Sequence, residues 1–473
     1  MRAELGLLAL AAAFAGAGTG VLAGLGIVRS PGQALRGLGL AYLTGMAAVM
    51  LVGLVVTVAG AAFDLAACGA VCLAVACGGV VAARARARDA GADAWAPRAP
   101  TGMPGWRRGL IAAASLAALA YVVMGLLTTA VTPLNSFDAW SIWGRKAVML
   151  FGLGHLPAGA LASSAYSFMH PDYPILLPLW ESLQLRAIGH VDTQLLHVPF
   201  WLLLVAFLSA LGFVGRRVSR WALVAPIVAA AALAPGVVDQ VVSANADVPM
   251  ACFLAIGVLS LGIWLERGDR AALALGALQL AAAANVKNEG LVGAVVVLAV
   301  AAAIVALDRR WRALRALAFG AAAVAAAVAP WRIWTAAHGI HGDLPVGNGL
   351  TPSYLSDRSD RIRPAFDALV NRLADQGRWS YIVPAALALM LVCLLVRWSP
   401  GSPGRRLAAF YLGTAVAFFA LVLWSLVVIP NTLDFQLPSS APRLISGIVF
   451  VGLAALIHLS GALDDKVRAV SRA

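Results

Sequence analysis

Residues 109–143 read GLIAAASLAALAYVVMGLLTTAVTPLNSFDAWSIW. The stretch opens with an uncharged run over 109–132 and ends with a carboxylate, Asp138, set among tryptophans. An α-helix rises 1.5 Å per residue, so about 20 apolar residues cross a hydrocarbon layer of about 30 Å. The run is long enough. A carboxylate just past a membrane span is costly to desolvate, so it stands on the water side or serves chemistry.

The same pattern extends outward from this stretch in both directions. Hydrophobic residues make up 61% of the 473 and charged ones 12%, far from the balance of a soluble chain. Apolar runs fall at 5–28, 37–63, 65–83, 109–132, 195–214, 222–242 and 248–265. Others follow at 271–286, 290–307, 316–334, 381–396, 407–429 and 443–461. The dyad alternation of a membrane β-barrel is missing, so the fold expected is all-α, a polytopic transmembrane helix bundle of about 13 spans. The first run is too long for a signal-peptide core and other spans follow it, so it reads as an uncleaved span. Cys68, Cys72, Cys77, Cys252 and Cys393 fall inside these runs without His or acidic companions and read as small buried hydrophobes.

The net charge of +13 suggests a nucleic-acid partner until its distribution is considered. Arg84, Arg86, Arg88, Arg107 and Arg108 crowd one connection, Arg216, Arg217 and Arg220 another, and Arg309, Arg310, Arg312 and Arg315 a third. Assigning connections alternately to the two sides puts 23 of the 35 Lys/Arg on one side with only 7 of the 22 Asp/Glu. Basic loops stay cytoplasmic. This places Asp138, His170, Asp247 and the segment 335–380 outside, the C-terminus inside, and a bilayer rather than nucleic acid against the chain. Residues 174–189 must then begin and end outside, which predicts a re-entrant or interfacial helix.

The organisation expected is an N-terminal group of spans with an Arg-rich linker (1–108), a catalytic membrane core (109–334) with a first external loop at 133–172, a second external loop (335–380), and C-terminal spans with a tail (381–473). Helical spacing aligns Trp140, Trp143, Ala147, Leu150 and Phe151 on one face, with Asp138, Ser141 and Arg145 on another, predicting an amphipathic surface helix. In the second loop Pro364 opens a helix striped by Phe366, Leu369, Val370 and Leu373.

Four polar islands stand on the external side: Asp138; Met169-His170-Pro171-Asp172-Tyr173-Pro174; Asn245-Ala246-Asp247; and Asn285-Val286-Lys287-Asn288-Glu289-Gly290, which interrupts two apolar runs. Polar breaks at membrane depth line cavities, because lipid does not tolerate them. Arg443 opens the last span from the outer side, against the positive-inside trend, and so calls for an anionic partner. Each has a plainer reading: Asp138 as a helix cap, His170 as an interfacial hydrogen bonder, Asp247 as a loop end, Lys287 with Glu289 as a structural ion pair.

The order of these islands resembles the GT-C superfamily of membrane glycosyltransferases, which includes protein O-mannosyltransferases and aminoarabinose transferases. Asp138 follows a span as that family's loop acid does. His170-Pro171-Asp172-Tyr173-Pro174-Ile175-Leu176-Leu177 is similar to its His-Pro-Pro and Tyr-Pro-Leu-Leu-Leu elements, Ala246-Asp247-Val248-Pro249 to its Ala-Asp-Pro element, Val286-Lys287-Asn288-Glu289-Gly290 to its Thr-Lys-Gly break, and Pro442-Arg443-Leu444 to its Pro-Arg-Tyr. The likeness covers roughly 109–461.

The resemblance implies a glycosyltransferase using a polyprenyl-phosphate-linked sugar donor and inverting at the anomeric carbon. Its acceptor would be a hydroxyl of a lipid, glycan or protein. Asp138 would be the general base and Asp247 would orient the acceptor. Lys287 and Arg443 would meet the leaving phosphate, with Arg145 or Lys146 in reserve, while His170, Asp172 and Glu289 would contact substrate. No obligatory metal is expected; Asp138, Asp247 and His170 are the ligands if a divalent cation is used. The Ala- and Arg-rich composition suggests a bacterial plasma (inner) membrane with the site periplasmic. A transporter or flippase of a lipid-linked or small polar substrate is the alternative.

Overall fold

The computed structural model describes residues 2–86, 95–98, 103–342, 348–398 and 402–471. Parts of the Arg-rich linker, Arg88 among them, and residues 343–347 of the second loop lie outside the described residues. The described residues form helices and their connections, with no strand among them.

The principal helices begin with α1 (Arg2–Leu25), α2 (Leu38–Val58), α3 (Leu65–Arg86) and α4 (Gly105–Val131). Next come α5 (Arg145–Leu153), α6 (Leu176–Ile188), α7 (Val198–Val218), α8 (Trp221–Leu233) and α9 (Pro235–Val242). The chain continues through α10 (Asp247–Arg267), α11 (Arg270–Val286), α12 (Asn288–Leu307) and α13 (Trp311–Ala337). It ends with α14 (Ile362–Leu373), α15 (Ile382–Leu395), α16 (Gly404–Val428) and α17 (Ser446–Val470). Among the described residues, 10 helices are long and apolar enough to cross a membrane, or 11 if the pair α8 and α9 counts as one. The protein is an integral membrane protein by that measure. Of the thirteen runs, 222–242 is the bent pair, turned by 51° before Pro235, while α11 and α15 are shorter apolar helices.

Helix α10 is the axis of the bundle. It is apolar on every side and buried along almost its whole length, as a helix enclosed by other helices must be. It packs against α7, α11, α12, α16 and α17. At 21 residues it is about 31 Å long, one hydrocarbon thickness. Its far end is a basic surface, where Arg267 Nη2 donates to Arg217 O of α7 at 2.8 Å. There Arg98, Arg220, Arg267 and Arg406 meet Asp465, Asp464, Glu266 and Asp308 respectively. His458 of α17 ties three helices together at this level, bonding Tyr411 OH at 2.9 Å and Glu266 Oε2 at 3.2 Å.

The N-terminal helices dock on this core. A Cβ on Gly18 of α1 would collide with Ala41 O of α2, and one on Gly45 with Phe14 O, so the two backbones touch through glycine. Gln279 of α11 donates to Thr44 of α2 at 3.3 Å inside the bundle. Four of the cysteines are buried, but Cys77 is exposed, so the expectation of buried thiols fails at that position.

The segment at 174–189 contains α6. At 13 residues it is about 20 Å long, too short to cross. An interfacial helix leaves one face to lipid; α6 instead is enclosed by α1, α2, α5 and α11, with Trp180 and Glu181 fully buried. In the second loop α14 begins two residues before Pro364. It buries Leu369 and sets Phe366 edge-on to Phe419 of α16 at 5.6 Å.

Candidate active-site cavity

At the end of α10 opposite the basic surface lies a cavity of about 920 Å³. Its polar wall includes Asp138, His170, Asp172, Lys287, Arg332 and Arg443; its apolar wall includes Leu291 and Val292 of α12 with Leu421 and Trp424 of α16.

Asp138 stands seven residues past the end of α4 and immediately precedes a π-helical turn, Ala139–Gly144, that runs into α5. π-Turns are rare and often mark functional sites. This one changes the predicted faces, because a wider turn shifts every later side chain relative to a 3.6-residue period. Trp140, expected on one face with Trp143 and Ala147, is substantially exposed where those two are buried, while Ser141, expected on the other face, is buried and donates to Phe137 O. Arg145 is displaced as well. It lines a separate groove of about 360 Å³ with Trp140 and Tyr166, so its expected part in substrate binding is not supported by its position. Asp138 makes no capping hydrogen bond, which leaves the helix-cap reading without support.

Asp138 Oδ2 instead accepts from Arg443 Nη1 at 2.5 Å, across 305 positions of sequence. Arg443 also lies 3.9 Å from Asp247 Oδ2, and Asp247 Oδ1 accepts from Lys287 Nζ at 2.9 Å. Lys287 is held at the extended break between α11 and α12, and reaches Glu289 Oε1 at 3.1 Å. One chain of alternating charge therefore runs Asp138, Arg443, Asp247, Lys287, Glu289. Glu289 in the first turn of α12 also faces the positive end of that helix.

Asp247 is only 1% exposed and sits behind the cavity wall. It holds Lys287 and Arg443 in place rather than presenting itself to an acceptor, which alters the role expected for it. Removing one partner of a buried ion pair leaves the other charge uncompensated at a cost of about 3–5 kcal/mol. Asp247→Ala is therefore expected to lower the unfolding temperature of the purified protein clearly, and an unchanged unfolding curve would contradict the pairing.

A second polar group stands on another part of the wall. Asn288 Nδ2 donates to Asp172 Oδ2 at 2.7 Å, and Arg332 Nη2 donates to Asn288 Oδ1 at 2.5 Å. Trp331 Nε1 donates to Asp172 O at 2.9 Å, fixing the loop to α13. Arg332 forms no direct ion pair among the described residues, and its Nε has no hydrogen-bond partner among them. It was not singled out from the sequence, although an arginine inside the run 316–334 is itself a signal of function.

His170 lines the same cavity. Its backbone is left-handed at φ 47°, which is uncommon for a residue other than glycine. Its ring stacks on Tyr173 at 5.0 Å, which stacks on Trp143 at 5.6 Å. Lys146, buried beneath, donates to His170 O at 2.6 Å and lies 5.6 Å from the Trp143 ring centre.

The suggested metal ligands do not fit a cation. The guanidinium of Arg443 lies between Asp138 and Asp247, where a divalent ion would need to bind. Among the described residues no three His, Cys, Asp or Glu side chains converge as a metal set.

No family model, curated protein or solved structure matches this chain. The likeness to GT-C enzymes therefore rests on the quoted motifs, and any function rests on the cavity itself.

Proposed function

We propose that this chain is a membrane glycosyltransferase of the GT-C type, transferring a sugar from a polyprenyl-phosphate donor to an acceptor hydroxyl on the external side of a bacterial plasma membrane. The observation that carries the reading is the cavity's division into a charged wall and an apolar wall at one end of a membrane bundle. An amphiphilic donor needs both: its prenyl chain stays with apolar side chains while its phosphate and sugar reach the polar groups.

Asp138, 26% exposed and paired with Arg443, is the base that meets the acceptor. As the acceptor oxygen bonds to the anomeric carbon, its proton passes to a carboxylate oxygen of Asp138. The bond from that carbon to the phosphate oxygen breaks on the opposite side, so the centre inverts and polyprenyl phosphate leaves. The developing charge resembles that of glycoside hydrolysis, where carboxylates do the same work.

The phosphate needs positive charge that is not already matched. Lys287 and Arg443 serve three carboxylates, Asp138, Asp247 and Glu289. Arg332 reaches Asp172 only through Asn288, so we assign the phosphate to Arg332 and keep Lys287 and Arg443 as the frame that holds Asp138.

The break between α11 and α12 and the bend between α8 and α9 are also features of transporters. Proteoliposomes loaded with a polyprenyl-phosphate sugar and acceptor separate the two. Release of free polyprenyl phosphate with sugar on the acceptor supports transfer. Movement of intact donor across the bilayer without release overturns it in favour of transport.

A further inference from the structure

The basic end of the bundle holds a second groove, of about 350 Å³, between α7, α8 and the short helix Pro31–Arg36. Its mouth carries Arg36, Arg216 and Arg217, and its walls carry Leu208, Phe213 and Val228. Trp221 stands at the rim, 47% exposed, with the Arg216 guanidinium 5.7 Å from its ring centre. Arg217, 4% exposed, lies 4.5 Å over the Phe213 ring.

No Asp or Glu stands among the described lining residues. Arg98, Arg220, Arg267 and Arg406 at the same end are instead matched to carboxylates. Arg36 bonds only Gly32 O, and Arg216 makes no ion pair among the described residues. From Arg216 to Leu208 the groove descends two turns of α7, about 12 Å along its axis. A charged mouth over an apolar slot fits neither a bare anion, which uses only the mouth, nor a neutral lipid, which leaves Arg36 and Arg216 without an anionic partner.

We propose that this groove binds an anionic phospholipid, with its phosphate at Arg36 and Arg216 and an acyl chain against Leu208, Phe213 and Val228. Basic pockets between membrane helices take such headgroups, and an exposed tryptophan belongs at that depth. The site lies one helix length from the cavity, at the other membrane face, and does not depend on glycosyl transfer.

The test reconstitutes the full chain in nanodiscs of phosphatidylcholine with a minor share of phosphatidylglycerol and counts retained lipids by native mass spectrometry. The wild type is expected to retain phosphatidylglycerol well above its share. Arg36→Gln with Arg216→Gln is expected to reduce that retention about tenfold or more. Arg363→Gln, on an exposed ion pair of the second loop, serves as the control and leaves retention unchanged. Leu208→Trp fills the slot and lowers retention while the arginines remain. Unfolding temperatures in pure phosphatidylcholine confirm that each variant is folded. Equal retention by the double variant overturns the site. Full retention by Leu208→Trp, or displacement of the lipid by millimolar inorganic phosphate, reduces it to an anion site and overturns the lipid assignment.

Discussion

Asp138→Asn is expected to lower the turnover of sugar transfer by about 10²–10⁴-fold while leaving donor binding close to wild type. The amide keeps the size of the side chain and an oxygen that can accept from Arg443, but it cannot take a proton from the acceptor hydroxyl. Asp138 makes no capping bond and Arg443 retains Asp247 nearby, so the fold does not depend on the lost charge. The effect should therefore fall on kcat, with KM for the donor little moved, because an interaction confined to the transition state is the one removed. Purified variant and wild type, assayed for release of polyprenyl phosphate, decide the point. Transfer at the wild-type rate would remove Asp138 from the mechanism. A loss of donor binding equal to the loss of rate would make it a binding residue instead.

The helices of this bundle are legible because a bilayer imposes a simple condition, an uninterrupted apolar run of sufficient length, which sequence displays directly. Even the bend between α8 and α9 has a visible marker in Pro235. The site was readable by a different route. Its islands were found as polar breaks in apolar sequence, and Asp138, His170, Asp172, Lys287, Glu289 and Arg443 do line one cavity. Their pairing was not readable, since no spacing rule connects Asp138 to a guanidinium 305 positions away. Nor was the π-turn, whose extra residue moved Trp140 outward, Ser141 inward and Arg145 to another groove. Helical periodicity assumes 3.6 residues per turn and fails where that number changes. Arg332, near the end of the apolar run 316–334, was not singled out, and only the fold shows its guanidinium directed at Asn288 within the cavity.

That position makes opposite predictions for two neighbouring substitutions. Arg332→Gln removes the cation assigned to the donor phosphate and is expected to weaken retention of polyprenyl phosphate about 10–100-fold, the size of a lost hydrogen bond to a charged group. Asp172→Asn is expected to strengthen it. The new amide keeps a carbonyl oxygen to accept from Asn288 Nδ2, so the bridge to Arg332 survives, but the negative charge is gone. Two hydrogen bonds and an amide separate the charges by roughly 7 Å, so at an effective dielectric of about 20 their interaction is about 2 kcal/mol. Arg332 then directs that attraction to an incoming phosphate. Retention of a fluorescent polyprenyl phosphate by the purified variants measures both effects, with the corresponding polyprenol as the uncharged control. A purely structural cluster predicts weaker binding from both substitutions, since each would loosen the same bridge. That result would place the phosphate elsewhere on the charged wall. If the wild type does not distinguish polyprenyl phosphate from polyprenol, the functional proposal itself fails. Tighter binding by Asp172→Asn alongside weaker binding by Arg332→Gln has no structural explanation other than a phosphate seated against Arg332.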